Sequence, residues 1–262
     1  MNQIIVPDPE HYLYIVSDSH LDHNTASYQE FIAMLSQLHR PQIVICLGDL
    51  FKVWLALPKF WAAMHQDVMQ AFALLIAEQH VEVIFVAGNR EVLLPRKWNA
   101  HWKAVYPFTY LIRDYCSLNW GDRKYGFTHG DIINWRDLKY LRWRKFARSY
   151  AFEWFFRAIP TSLARRMALR LEATLAETNQ AYKIQLPEKE IEDFAKVVLQ
   201  DLDHYFVGHF HQDKEYQFPN LSGKLRIVPD WLSKRAVLQI APDGTINTLY
   251  FKHGSFQQSS HD

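Results

Sequence analysis

Along the first hundred residues, short apolar runs alternate with longer stretches in which apolar side chains return every three or four positions. His11–Val16, Gln42–Leu47 and Val81–Ala87 are of the first kind. They are rich in β-branched and aromatic residues and predict strands buried on both faces. Tyr28–Leu38, with Phe31, Met34, Leu35 and Leu38 on one stripe, and Phe60–Glu78 are of the second kind and predict helices. Strands alternating with helices imply an α/β fold with a partly parallel sheet. The last third changes rhythm. Tyr205–Val207, Leu225–Val228, Ala236–Ile240 and Thr245–Phe251 predict short strands, and Pro242-Asp243-Gly244 predicts a hairpin turn between the last two. From Lys252 the tail is polar and expected to be loose.

Between Trp135 and Lys183 the pattern is helical, with Trp143, Phe146, Tyr150, Trp154 and Phe155 near one stripe and a break at Pro160. This stretch carries eleven Lys and Arg against four Asp and Glu, a net +7, whereas the whole chain carries +1. A balance so near zero gives no global field for nucleic acid, and no nucleic acid partner is expected. A basic helical segment interleaved with aromatics resembles an interfacial helix, so peripheral contact with an anionic membrane is an expectation. No apolar run approaches the ~20 residues that span a bilayer, and the first ten residues lack the pattern of a signal peptide. The isolated Cys46 and Cys116 suggest no disulfide, and Cys46, inside an apolar run, is expected in the core.

Five short segments carry the chemistry: Asp18-Ser19-His20, Gly48-Asp49, Gly88-Asn89-Arg90, His129-Gly130-Asp131 and Gly208-His209-Phe210-His211. Taken singly, each is an ordinary turn at a strand end. The first three and the last each follow an apolar strand run, and strand carboxyl ends gather on one edge of a parallel sheet. His129 follows Tyr125–Thr128 and is expected to join from a second sheet. Convergence of carboxylates, an amide and imidazoles makes a dinuclear site suited to Mn²⁺, with Zn²⁺ or Fe as alternatives. Two such ions, ~3.5–4 Å apart, can hold a phosphate between them. Cys46 is expected in the core and Cys116 stands apart from these segments, which excludes a cysteine-based zinc site.

The order Asp-x-His, Gly-Asp, Gly-Asn-Arg, His-Gly, Gly-His-x-His resembles the calcineurin-like metallophosphoesterases over nearly the whole chain. The resemblance implies one domain over residues 1–262, a four-layer αββα sandwich with a helical cap inserted at about 135–185. It implies one metal on Asp18, His20, Asp49 and His211 and another on Asp49, Asn89, His129 and His209, with Asp49 bridging. Arg90, where most of the family has His, and Gly48-Asp49-Leu50-Phe51 with Trp54 resemble the UDP-2,3-diacylglucosamine pyrophosphohydrolases of lipid A synthesis. Pro229-Asp230-Trp231 resembles that subfamily's Gly-Asp-Trp. Leu55-Ala56-Leu57-Pro58 departs from it, because acidic residues commonly follow the Trp there.

This closer resemblance implies a hydrolase that splits the pyrophosphate of a UDP-linked acylated glucosamine into UMP and an acylated sugar phosphate. It implies a cytoplasmic enzyme, peripheral on the inner membrane, whose cap holds acyl chains. It also implies catalytic roles for Asn89, Arg90 and His209, and substrate contacts from Asn89, Arg90, Asp137, Asn179 and Lys183. The alternatives are a phosphodiesterase or pyrophosphatase for a soluble nucleotide and, lower in the order, a non-catalytic scaffold. Arg90 is always charged and offers a planar fork, which suits it to clamping a pyrophosphate; pairing with Glu91 or another surface acid is the plainer alternative.

Overall fold

The computed structural model describes residues 2–6, 9–23, 27–163, 166, 167, 170 and 186–258. Its elements run β1 (Asn2–Val6), β2 (Tyr12–Val16), α1 (Ser27–Ser36), β3 (Pro41–Cys46), β4 (Trp54–Leu55), α2 (Ala63–Gln79), β5 (Glu82–Val86), β6 (Glu91–Val92), α3 (Ala100–Lys103) and β7 (Tyr110–Ile112). They continue with β8 (Tyr115–Trp120), β9 (Arg123–Thr128), α4 (Leu138–Ala147), α5 (Tyr150–Ala158), α6 (Glu188–Val198), β10 (His204–Val207), β11 (Lys214–Gln217) and β12 (Lys224–Ile227). The last are α7 (Trp231–Lys234), β13 (Ala236–Ile240), β14 (Ile246–Lys252) and β15 (Ser255–Gln258).

Two large sheets result. One has seven strands in the order β15-β14-β13-β2-β3-β5-β7, and the other has six in the order β1-β8-β9-β10-β12-β11. Period-two alternation decides which face each side chain takes. Leu13, Ile15, Ile43, Ile45, Ile84 and Val86 point toward the second sheet and meet Leu118, Tyr125, Phe127 and Phe206. Their neighbours Tyr14, Val16, Val44, Val83 and Phe85 face the other way and pack on Phe31, Met34 and Leu35 of α1 and Val68, Met69 and Phe72 of α2. On the far side of the six-stranded sheet, Tyr205, Val207, Leu225 and Ile227 pack on Ile191, Ala195 and Leu199 at α6. Helix, sheet, sheet and helix make the four-layer αββα sandwich. The apolar runs are continuous because both faces of the central strands are covered.

The helices α4 and α5 form the cap. Ala147, Phe152 and Phe156 pack on Leu55, Leu57, Phe60, Val92 and Leu93 of the core. The departure at Leu55-Ala56-Leu57-Pro58 therefore has a structural use, since it supplies part of the apolar seat of the cap. The predicted aromatic stripe faces outward: Phe146 is 53% exposed, Tyr150 75% and Trp154 72%.

Three features differ from the sequence reading. The tail expected to be loose from Lys252 instead continues the sheet, with Ser255–Gln258 paired antiparallel to β14. Asn2–Val6 is a strand, paired in parallel with Cys116–Trp120 at the sheet edge; only Ile4 of its apolar residues is buried, which leaves no hydrophobic pattern to read. The strand before Gly208 belongs to the second sheet, paired in parallel with β9 and β12. The site is thus built by three strand ends of one sheet and two of the other, rather than four and one. Because β10 is apolar on both faces, its sequence suits either sheet.

Candidate metal centre

The ladder between β2 and β3 continues past the strands. Asp18 N–H donates to the Gly48 carbonyl at 3.2 Å, His20 N–H to the Asp49 carbonyl at 2.9 Å and Leu21 N–H to the Leu50 carbonyl at 2.9 Å. A second ribbon, β4 with β6, extends the Gly-Asp and Gly-Asn-Arg loops together, with Trp54 N–H on the Arg90 carbonyl at 3.0 Å. Trp54 anchors this ribbon among Phe51, Phe85 and Tyr106. The loops are therefore held in register by backbone bonds before any side chain is considered.

Their side chains are aimed by unusual backbone. Asp18, His20, Asp49, His209 and His211 have φ of 51°, 44°, 52°, 70° and 54°, all left-handed. Each such non-glycine residue costs about 1–3 kcal/mol, a strain that collects at functional sites. Two glycines allow the loops to close. A Cβ on Gly88 would stand 2.3 Å from Asp49 Oδ1, and one on Gly208 would stand 2.1 Å from Ser17 Oγ.

Two sets of ligand atoms converge. In the first, His211 Nε2 is 3.5 Å and His20 Nε2 3.8 Å from Asp18 Oδ1, and the two imidazole nitrogens are 3.3 Å apart. In the second, His129 Nε2 is 3.5 Å from Asp49 Oδ1 and 3.1 Å from Asn89 Oδ1. Asp49 Oδ2 is 3.7 Å from His20 Nε2, so this carboxylate reaches toward both His20 and His129, while Asp18 converges both with His20 and His211 and with Asp49 and His129. Asp18 Oδ1 is buried with no hydrogen-bond partner among the described residues, whereas Oδ2 accepts from Ser17 Oγ at 2.5 Å and His209 N–H at 2.8 Å. An acceptor-only oxygen facing two imidazole nitrogens is satisfied by a cation, so these residues fit divalent metal ions. His209 lies beside His129, with ring centroids 5.2 Å apart, but contributes to neither set of converging atoms.

Outer partners fix the ligands. His129 Nδ1 bonds the Leu47 carbonyl at 2.9 Å, which turns Nε2 to the pocket. Asp230 Oδ2 stands 3.7 Å from His211 Nδ1 and also accepts the Ser233 N–H at 2.6 Å. The fully enclosed Glu91 accepts Gly88 N–H at 2.7 Å and Asp49 N–H at 3.0 Å on Oε2, and Leu50 N–H at 3.0 Å on Oε1. Glu91 therefore ties two ligand loops together and is not the partner of Arg90. The sequence reading overlooked this role; the signal for it was an acid standing between Arg90 and the apolar Val92-Leu93-Leu94.

Crowding of charge perturbs several of the enclosed groups. Burial and the Asp49 carboxylate push Glu91 up to about 8, and burial raises Asp49 as well. Burial opposes ionisation of Asp18, but His211, His129 and His20 outweigh it and hold the carboxyl well below its usual range. Burial would likewise lower His129, yet Asp49, Asp18 and Asp131 lift it to about 9. Burial and His129 push His209 down to about 4. Divalent ions would replace this imidazolium charge, keeping the carboxylates ionised and the imidazoles neutral.

Arg90 is buried. Its N–H donates to Asp49 Oδ1 at 2.9 Å, its Nε lies 3.7 Å from Asp49 Oδ2, and that Nε has no hydrogen-bond partner among the described residues. Asp137 sits at the start of α4, where its carboxylate accepts the Tyr140 N–H at 2.9 Å. Asn179 and Lys183 lie outside the described residues. Cys46 and Cys116 are free and buried.

Residues 11–213 match the calcineurin-like phosphoesterases, and the chain belongs to that family, a metal-dependent hydrolase of phosphate esters. Among curated proteins, the UDP-2,3-diacylglucosamine hydrolase of Vibrio parahaemolyticus is 26% identical over 234 residues, covering 87% of this chain and 94% of that one. The UDP-2,3-diacylglucosamine hydrolase of Histophilus somni is 26% identical over 237 residues, covering 88% and 97%. Among solved structures, vacuolar protein sorting 29 of Cryptosporidium parvum aligns with a TM-score of 0.48 and 10% identity over 95% of each chain. Among the described residues, no helix is long and apolar enough to cross a membrane.

Proposed function

We propose that the enzyme cleaves the pyrophosphate of a UDP-linked acylated glucosamine, releasing UMP and an acylated sugar phosphate. The observation that carries this reading is a metal-fitting pocket beside an apolar, outward-facing cap, in a chain whose relatives bear the name of that hydrolase along nearly their whole length. Two ions, which we take as Mn²⁺ with Zn²⁺ or Fe as alternatives, would activate water and neutralise phosphate charge. Asp18, His20, Asp49 and His211 would hold one, and Asp49, Asn89, His129 and His209 the other.

The chain's own residues do the rest. Asp49 turns Oδ1 to His129 and Oδ2 to His20, held in place by the Arg90 backbone N–H and by Glu91. Arg90 stands in an ion pair with Asp49 while its Nε takes no hydrogen bond among the described residues, and its guanidinium can donate to phosphate oxygens as charge builds on them in the transition state. Asn89 and His209 stand beside His129 and orient the phosphate on the nucleotide side. Phe146, Tyr150, Trp154 and Phe155 offer an apolar surface for acyl chains. The exposed Lys139, Arg142 and Lys145 among them suit anionic headgroups, which gives a peripheral position on the membrane.

The test is to assay metal-loaded protein on the acylated UDP-sugar beside UDP-glucose and simple nucleotides, in ¹⁸O-labelled water. Turnover of the acylated substrate far above the others, with label in UMP, is the expected result. Equal or faster turnover of an unacylated nucleotide would overturn it in favour of a soluble substrate.

A further inference from the structure

Outside the metal pocket, a dense set of ionised groups lies where the cap meets the core. Asp131, two positions beyond His129, is 4% exposed and contributes no atom to either ligand set. Its Oδ2 accepts from the Tyr140 hydroxyl and, at 2.8 Å, from Arg144 Nε. Arg144 Nη2 reaches on to Asp114 Oδ1 at 2.7 Å. Arg148 Nη1 meets that same oxygen at 2.7 Å and the Arg113 carbonyl at 3.0 Å. Tyr140 and Arg144, four positions apart, share one face of α4, and Arg148 follows at its C-terminal cap.

Both carboxylates they grip are tied to His129. Asp131 follows it by two residues, and the Asp114 carbonyl accepts from Thr128 Oγ1 at 2.7 Å, directly before it. The basic excess of the cap is thus sorted by face. Arg144 and Arg148 spend their charge on the core, while Lys139, Arg142 and Lys145 are exposed and take no ion pair among the described residues. Removing one partner of an enclosed ion pair leaves the other charge desolvated and unpaired, so the helix and the loop after His129 cannot shift independently at low cost.

We propose that Tyr140 and Arg144 are positioning residues that latch the cap to the metal centre through Asp131, and so set the binding of a substrate long enough to reach the cap. The identity of that long substrate rests on the function proposed above; the latch itself does not.

The experiment compares wild type with Arg144→Ala, Arg144→Lys and Tyr140→Phe. For Arg144→Ala, KM for the acylated UDP-sugar rises about tenfold, the effect of one charged hydrogen bond, with kcat within about twofold. Bis(p-nitrophenyl) phosphate, which needs only the metals, is hydrolysed within about twofold of the wild-type rate, and metal content is unchanged. Amide exchange in residues 138–158 is about tenfold faster, with β2 and β3 unaffected. Arg144→Lys recovers part of the KM effect, because a point charge cannot bridge Asp131 and Asp114 as a fork does. Equal loss on both substrates would overturn the proposal, because Asp131 would then be serving the metals. Unchanged KM and unchanged exchange would overturn it as well. If wild type turns over the diester but not the acylated UDP-sugar, the functional reading fails, and the exchange comparison alone decides the latch.

Discussion

The metal pocket and the cap are held by different kinds of bond. In the pocket, backbone does the positioning: ladders run past β2 and β3, Glu91 accepts three N–H groups, and five residues sit in left-handed conformations. In the cap, side chains do it. Arg144, Arg148 and Arg96 pair with Asp131, Asp114 and Glu153, and Phe152 and Phe156 fill an apolar seat. Side-chain attachments can be exchanged without disturbing a strand, so the pocket is fixed by the sheets while the cap is attached to them separately. The same contrast appears in exposure. The ligand aspartates are enclosed, whereas the aromatic stripe of the cap faces outward.

The largest expected effect tests the pocket half of this contrast. Asp49→Ala should lower metal content toward zero and turnover by more than the ~10²-fold typical of losing an outer partner; a metal-replete, active variant by plasma emission analysis would break the assignment. Next, Arg90→Ala should reduce kcat by roughly 10²–10³ with both metals retained, and Arg90→Lys should restore only part. Near wild-type turnover would remove the phosphate clamp from the mechanism. Glu91→Gln replaces one acceptor by a donor facing backbone N–H groups, so metal affinity should fall roughly 10–100-fold while cap exchange stays unchanged. Loss of cap protection in that variant would mean the two regions are one cooperative unit.

The smaller effects belong to the cap. Burial works to raise the Asp114 and Glu153 carboxyls, but Arg144 and Arg148 on the first, and Arg96 and Arg157 on the second, hold both below their ordinary values. Groups with depressed folded pKa values contribute stability that is full above the unfolded values, ~3.9 and ~4.3, and is lost as pH falls through the folded ones. Cap protection, corrected for intrinsic exchange, should therefore be flat from neutral pH to about 5 and fall below about 4. Protection that rises on acidification would contradict these pairings. Vesicle sedimentation should show binding to anionic bilayers that weakens as salt rises, since each of Lys139, Arg142 and Lys145 adds about 1 kcal/mol near such a surface. Salt-independent binding would assign the contact to the aromatics alone.

Much of the site was legible because its segments are local. Asp18 and His20 share one turn, as do His209 and His211, and each turn follows an apolar strand that announces itself by composition. The αββα fold was legible for the same reason, since continuous apolar runs require cover on both faces. The sheet assignment of β10 was not legible, because Tyr205-Phe206-Val207 is apolar on both faces and pairs equally well in either sheet. Nor was the β1 strand, with Ile4 its one buried apolar residue.

What the sequence indicated by itself was a set of candidate ligands, the phosphoesterase class of their chemistry and a basic, aromatic stretch after Trp135. Tertiary structure alone decided which partners Arg144 and Arg148 take. Arg144 meets Asp131 and Asp114 across separations of 13 and 30 residues, and Glu91 reaches back 42 residues to the Asp49 amide. A charge count cannot distinguish an arginine clasped by a buried carboxylate from one facing water, because that difference depends on which distant backbone brings the acid within hydrogen-bond reach.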